Sequence, residues 1–128
     1  YKDISDALVQ FNEIEVETEM FRQASIYSYY FGLMSFAKRK VGEASVQLTR
    51  FMSKLRKEAK RDSSVKLTAK DLDDLVFADD QYTVRQNALD DATFKYEMLK
   101  GLVRALEQKK DMLQQSSANK REETKLYK

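Results

Sequence analysis

From about Glu19 to Arg61 apolar residues recur at spacings of three and four: Tyr27, Tyr30, Met34, Ala37, Val41, Ala44, Leu48, Phe51 and Leu55. Four heptads of this kind mark a helix that lies along another helix. A helix of about 40 residues spans about 60 Å and needs a partner to bury its stripe. Asp62-Ser63-Ser64 ends it. Thr68, followed three residues later by Asp71, predicts a capping box opening a short helix over 69–77. Asp79-Asp80 then caps a second long helix over about 81–116, with Tyr82, Leu89, Ala92, Tyr96, Leu99, Val103, Leu106 and Leu113 on its seam. Arg85 and Lys110 fill the two polar seam positions.

The first residues pattern differently. Ile4, Ala7, Leu8 and Phe11 predict a short amphipathic helix over 4–11, with Asp3 or Ser5 near its cap. From Glu13 to Glu19 every odd position is Glu, with Ile14, Val16 and Thr18 between, and period two predicts an extended segment. It reads either as a solvated linker or as an arm laying Ile14 and Val16 on another subunit. The expected fold is all-α: a long, coiled-coil-like antiparallel hairpin forming a single domain. It comprises an acidic arm (1–18), a long basic helix (19–61), an acidic connector with a short helix (62–80), a second long helix (81–116) and a polar tail (117–128) that frays.

Both long helices carry a second apolar stripe: Ile26, Tyr29, Leu33 and Phe36 on the first, Met98, Leu102, Ala105 and Met112 on the second. In an antiparallel hairpin closed near residues 62–80, both stripes fall at the open end. Two helices cannot bury four faces between them, and a patch of this size rarely stays exposed on a monomer. Either residues 4–11 fold back over it, or several hairpin ends associate into a homo-oligomer, a ring or bundle. The second arrangement is the one we expect.

Composition narrows the chemistry. None of the 128 residues is Pro, Cys or His, and the three glycines, Gly32, Gly42 and Gly101, are scattered. Disulfides, thiol nucleophiles, Cys/His zinc sites and histidine acid–base catalysis are excluded, as is a phosphate-cradling glycine loop. No apolar run approaches the length of a membrane span or reads as a signal peptide. The expectation is a cytoplasmic helical protein, not an enzyme, with no cofactor and no metal.

Net charge is only +2, but it is unevenly placed. Residues 22–66 hold eleven Lys/Arg against three acids, whereas 1–21 and 67–99 are each net −5. Arg50, Lys54, Lys57 and Arg61, at spacings of four, three and four, form a cationic stripe flanked by Arg56 and Lys60, with Lys38, Arg39 and Lys40 further back. Phe51 and Met52 sit among these charges. Coulomb attraction that tracks a phosphate backbone, with π-faces nearby that accept any base, is what sequence-independent single-strand binding requires. A solvated coiled-coil flank also carries Lys and Arg, but it normally mixes in Glu for i,i+4 pairing, and only Glu58 interrupts this stripe.

Asp71, Asp73, Asp74, Asp79 and Asp80 crowd the connector. They read as first-turn acids favoured by helix dipoles, and they lack EF-hand spacing. A Mg²⁺ site, or ion pairs with a neighbouring basic stripe, are the other readings. Tyr27, Tyr29, Tyr30 and Phe31 resemble a stacking platform, but three of the four fit helical stripes, which points to core or interface.

The order of these pieces resembles the phage recombination mediator family typified by UvsY. An acidic amphipathic start leads to Gln23-Ala24-Ser25-Ile26-Tyr27 and a long helix with a basic end. Leu72 and Leu75-Val76 follow in the connector, then Tyr96-Glu97-Met98-Leu99 and Ala105-Leu106-Glu107-Gln108-Lys109. The likeness covers most of residues 4–115 and is one of pattern. It implies an all-helical homo-oligomer that binds single-stranded DNA and loads a RecA-like recombinase onto strands covered by single-strand-binding protein, in a host cell's cytoplasm. The family's DNA-contacting Lys and Arg lie late in the first long helix, matching Leu48-Thr49-Arg50-Phe51 and Lys54-Leu55-Arg56 here; Thr49 stands where a Lys is expected. The self-associating last helix matches Tyr96 to Met112. A structural coiled-coil adaptor or scaffold without a nucleic-acid role is the rival expectation.

Overall fold

A computed structural model describes residues 13–126, all of whose regular elements are helices. Helix α1 is Glu13–Asp62, α2 is Ala69–Ala78 and α3 is Asp80–Leu126. Helices α1 and α3 pack together as an antiparallel hairpin. Both expected seams are inward. On α1 every position from Tyr27 to Leu55 named above is buried or half-buried, and on α3 so is every one from Tyr82 to Leu113. Arg85 and Lys110 are half-buried within the α3 seam.

The described residues fall into two units, 34–98 and 13–33 with 99–126. In the first, α2 tucks Leu72 and Val76 inward, and Val76 is completely buried. Ala37 and Leu48 are the buried apolar positions of α1 in the same unit. The connector is built from polar bonds. Ser63 donates its backbone N–H to the Ala59 carbonyl at 3.1 Å, and its hydroxyl donates to the Val65 carbonyl at 2.7 Å. The capping box is present: Thr68 Oγ1 accepts from the Asp71 N–H and the Asp71 carboxylate accepts from the Thr68 N–H, both at 3.1 Å. These bonds hold the Asp71 carboxyl below its ordinary pKa. Asp79 closes α2 by donating its N–H to the Val76 carbonyl and opens α3 by accepting the Gln81 N–H on its side chain.

In the second unit the seam is more polar. Val16, Val103 and Leu113 are buried, but so are Gln23 and Ser117. The Tyr27 hydroxyl donates to Glu107 across the helices at 2.7 Å, and the Lys110 ammonium lies 5.6 Å from the centre of the Tyr27 ring. The bond to Glu107 raises the tyrosine's pKa. Glu19 accepts from Gln23 Nε2 at 2.9 Å and meets Lys109 at 3.9 Å.

Two expectations are corrected here. Residues 13–19 are not extended; they are the first two turns of α1. Val16 lies seven residues before Gln23 and fourteen before Tyr30, so it falls on the helical seam and is 2% exposed. Burial of that one position, with Glu a good helix former, overrides the local alternation. The tail does not fray after Ser116 either. Helix α3 runs to Leu126, because Ser117 and Lys120 continue the seam at spacings of four and three from Leu113. The expected helix over 4–11 lies outside the described residues.

Candidate nucleic-acid interface

Helix α1 gains about 6 Å along its axis every four residues. Arg50, Lys54, Lys57 and Arg61 therefore rise along one face as a ladder of cations, and all four are exposed. With Ser53 and Glu58 they line a shallow groove. Arg61 also reaches its neighbour Asp62 at 3.1 Å. Arg50, Lys54, Lys57 and Lys60 form no ion pair among the described residues.

The remaining candidates separate. Lys38 is exposed, while Arg39 and Lys40 share Glu43 at 3.5 and 3.3 Å. Arg56 faces elsewhere: its guanidinium donates to Asp73 on α2 at 2.8 Å, and the residue is half-buried. Its place in the sequence suggested a phosphate contact, but its bond docks the connector helix onto α1.

A second depression adjoins the ladder, lined by Gln47, Arg50, Phe51, Lys54, Leu55, Glu58, Gln81 and Arg85. The Arg85 guanidinium carbon lies 4.4 Å from the centre of the Phe51 ring, and Nη1 donates to the Gln81 side-chain oxygen at 3.1 Å. Sequence reasoning noted Arg85 only as a polar seam position and missed Gln47, Ser53 and Gln81. The available signal was a seam arginine on α3 paired with a seam phenylalanine on α1, an arrangement that favours cation–π stacking.

The connector acids are mostly employed by the fold: Asp71 in the capping box, Asp73 on Arg56, Asp79 between two helices. Among the described residues no group of three or more carboxylates gathers to hold a metal ion. Nor is any helix there long and apolar enough to cross a membrane. Of the aromatic cluster, Tyr27 and Tyr30 belong to the seam, while Tyr29 and Phe31 are exposed. The positions expected at an oligomer interface are largely uncovered. Tyr29, Leu33, Leu102, Ala105 and Met112 are exposed in one unit and Phe36 and Met98 in the other, whereas Ile26 is half-buried. Phe21 and Phe94, absent from that expectation, are 78% and 65% exposed.

Fold and site together define a helical hairpin protein with a cationic ladder on its first long helix. Comparison of the chain with family models, curated proteins and solved structures finds no match.

Proposed function

We propose that this chain is a non-enzymatic single-stranded-DNA-binding mediator that works as a homo-oligomer. In this reading it helps load a RecA-like recombinase onto strands covered by single-strand-binding protein. The observation that carries the DNA-binding part is the ladder of Arg50, Lys54, Lys57 and Arg61, exposed on one groove with little acid to neutralise it. The exposed Tyr29, Leu33, Leu102 and Met112 support self-association. Recombinase and single-strand-binding protein enter through the family resemblance.

Several ladders brought together bind one strand multivalently. Each engaged protomer, with four phosphate contacts, adds about −2.8 to the logarithmic salt slope, a loss of about 50-fold per protomer between about 50 and 200 mM salt. Anisotropy titration of a labelled oligonucleotide measures it. Replacing Arg50, Lys54 and Lys57 by Ala should reduce the slope by about two per engaged protomer while leaving the assembly intact.

A second reading, a coiled-coil scaffold, draws on the Arg56–Asp73 pair, in which the basic block already engages an acidic protein segment. Absence of oligonucleotide binding at low salt would select it.

A further inference from the structure

The groove beside the ladder contains more than a phosphate site requires. We propose that it seats a nucleobase of the bound strand, stacked on the guanidinium of Arg85; this rests on the single-strand reading above.

Three features favour a base over another phosphate. The fork of Arg85 is partly committed: Phe51 covers one face at 4.4 Å, and Gln81 takes Nη1 at 3.1 Å. What the residue still offers at the groove is a half-exposed guanidinium, anchored by those two neighbours, whose flat face can carry a ring. A guanidinium face stacks well on a π-system, and the tie of Nη1 to Gln81 leaves less of the fork for a phosphate. Glu58, which borders both depressions, can accept from a ring N–H or amino group of a base seated here. Finally, the amides of Gln47 and Gln81 present both donors and acceptors to a base edge, whichever base arrives. Arg50 and Lys54 belong to both depressions, so a nucleotide whose phosphate rests on them can turn its base toward Arg85. The strand would then be gripped from two helices, phosphates on α1 and base on α3. Sequence tolerance follows, since every base has a face to stack.

The test uses two labelled oligonucleotides of equal length, one of thymidylate and one entirely of abasic sites. The unmodified protein should bind the thymidylate strand about tenfold more tightly, the discrimination expected of one stacked base. Arg85→Ala should abolish that preference while changing the salt slope by no more than about one. Arg85→Lys keeps the charge but loses the plane, and should abolish it too; if the alanine variant loses its helical circular dichroism, the lysine variant carries the test. Lys54→Ala should weaken both strands alike. Equal binding of the two strands by the unmodified protein, or a preference that survives at Arg85→Lys, overturns the base site and leaves the phosphate ladder standing. Failure to bind either strand at low salt overturns both readings together.

Discussion

Gln23 is the least comfortable side chain in the described structure. It is 4% exposed, and while its amide nitrogen donates to Glu19, its side-chain oxygen Oε1 finds no hydrogen-bond donor among the described residues. A buried acceptor left without a partner costs about 1–3 kcal/mol. Gln23→Leu should therefore raise stability by about 1 kcal/mol, even after the bond to Glu19 is lost. A shift of the urea midpoint to higher concentration, with unchanged slope, would register it. At this scale the sequence was a partial guide. The ladder was legible because exposed cations at helical spacing need nothing but the helix to line up. Arg56 belongs to the same pattern, but its pairing with Asp73 was not legible, because that partner is seventeen residues away on another element. Arg85 reads from the sequence only as a polar seam position for the same reason: the ring it lies over, Phe51, is on the opposite helix.

Among the elements, α2 is the shortest and the most dependent on its ends. Its ten residues bury only Leu72 and Val76. Isolated helices of that length are marginal, so the capping box matters more here than on the long helices. Thr68→Ala should cost about 1 kcal/mol locally, visible as faster amide exchange in residues 69–78. The same box gives α2 a pH dependence. Because folding lowers the pKa of Asp71, its contribution is complete above the unfolded value and is lost as pH falls through the folded one. Protection of the α2 amides, taken relative to the intrinsic exchange rate at each pH, should fall below about pH 4, and Asp71→Asn should flatten that profile.

The sequence announced α2 plainly, since Thr68 and Asp71 sit three apart and the cap is a local device. It misplaced the outer ends of α1 and α3. Residues 13–19 and 117–126 each offer few apolar seam positions, so neither looks helical alone. Val16 on one side and Ser117 on the other are buried once both segments are helical. Burial that depends on another part of the chain is invisible to a window that slides along one segment at a time.

For the molecule as a whole, the question is what covers its uncovered apolar side chains. Tyr29 and Met112 are 64% and 70% exposed, and Leu33 and Leu102 are 37% and 40% exposed. If copies of the chain cover one another there, light scattering should report several protomers. Leu33→Asp or Leu102→Asp should then yield a monomer with unchanged helical content, since neither position lies on the seam. A protein that is monomeric before mutation would contradict the assembly. The hairpin itself was legible because two seams of opposite chain direction and matching length admit few other pairings.

The bond between Tyr27 and Glu107 carries a consequence of its own. Rows of Ala, Val and Leu tolerate slippage by a whole heptad, because one apolar residue substitutes for another. Shifted by seven, Tyr27 would meet Lys100 or Gln114 in place of Glu107, and the ammonium over its ring would be replaced by Val103 or Ser117. Neither shift keeps both a carboxylate at the hydroxyl and an ammonium over the ring. These few polar groups thus favour the observed alignment over its neighbours on two otherwise forgiving surfaces.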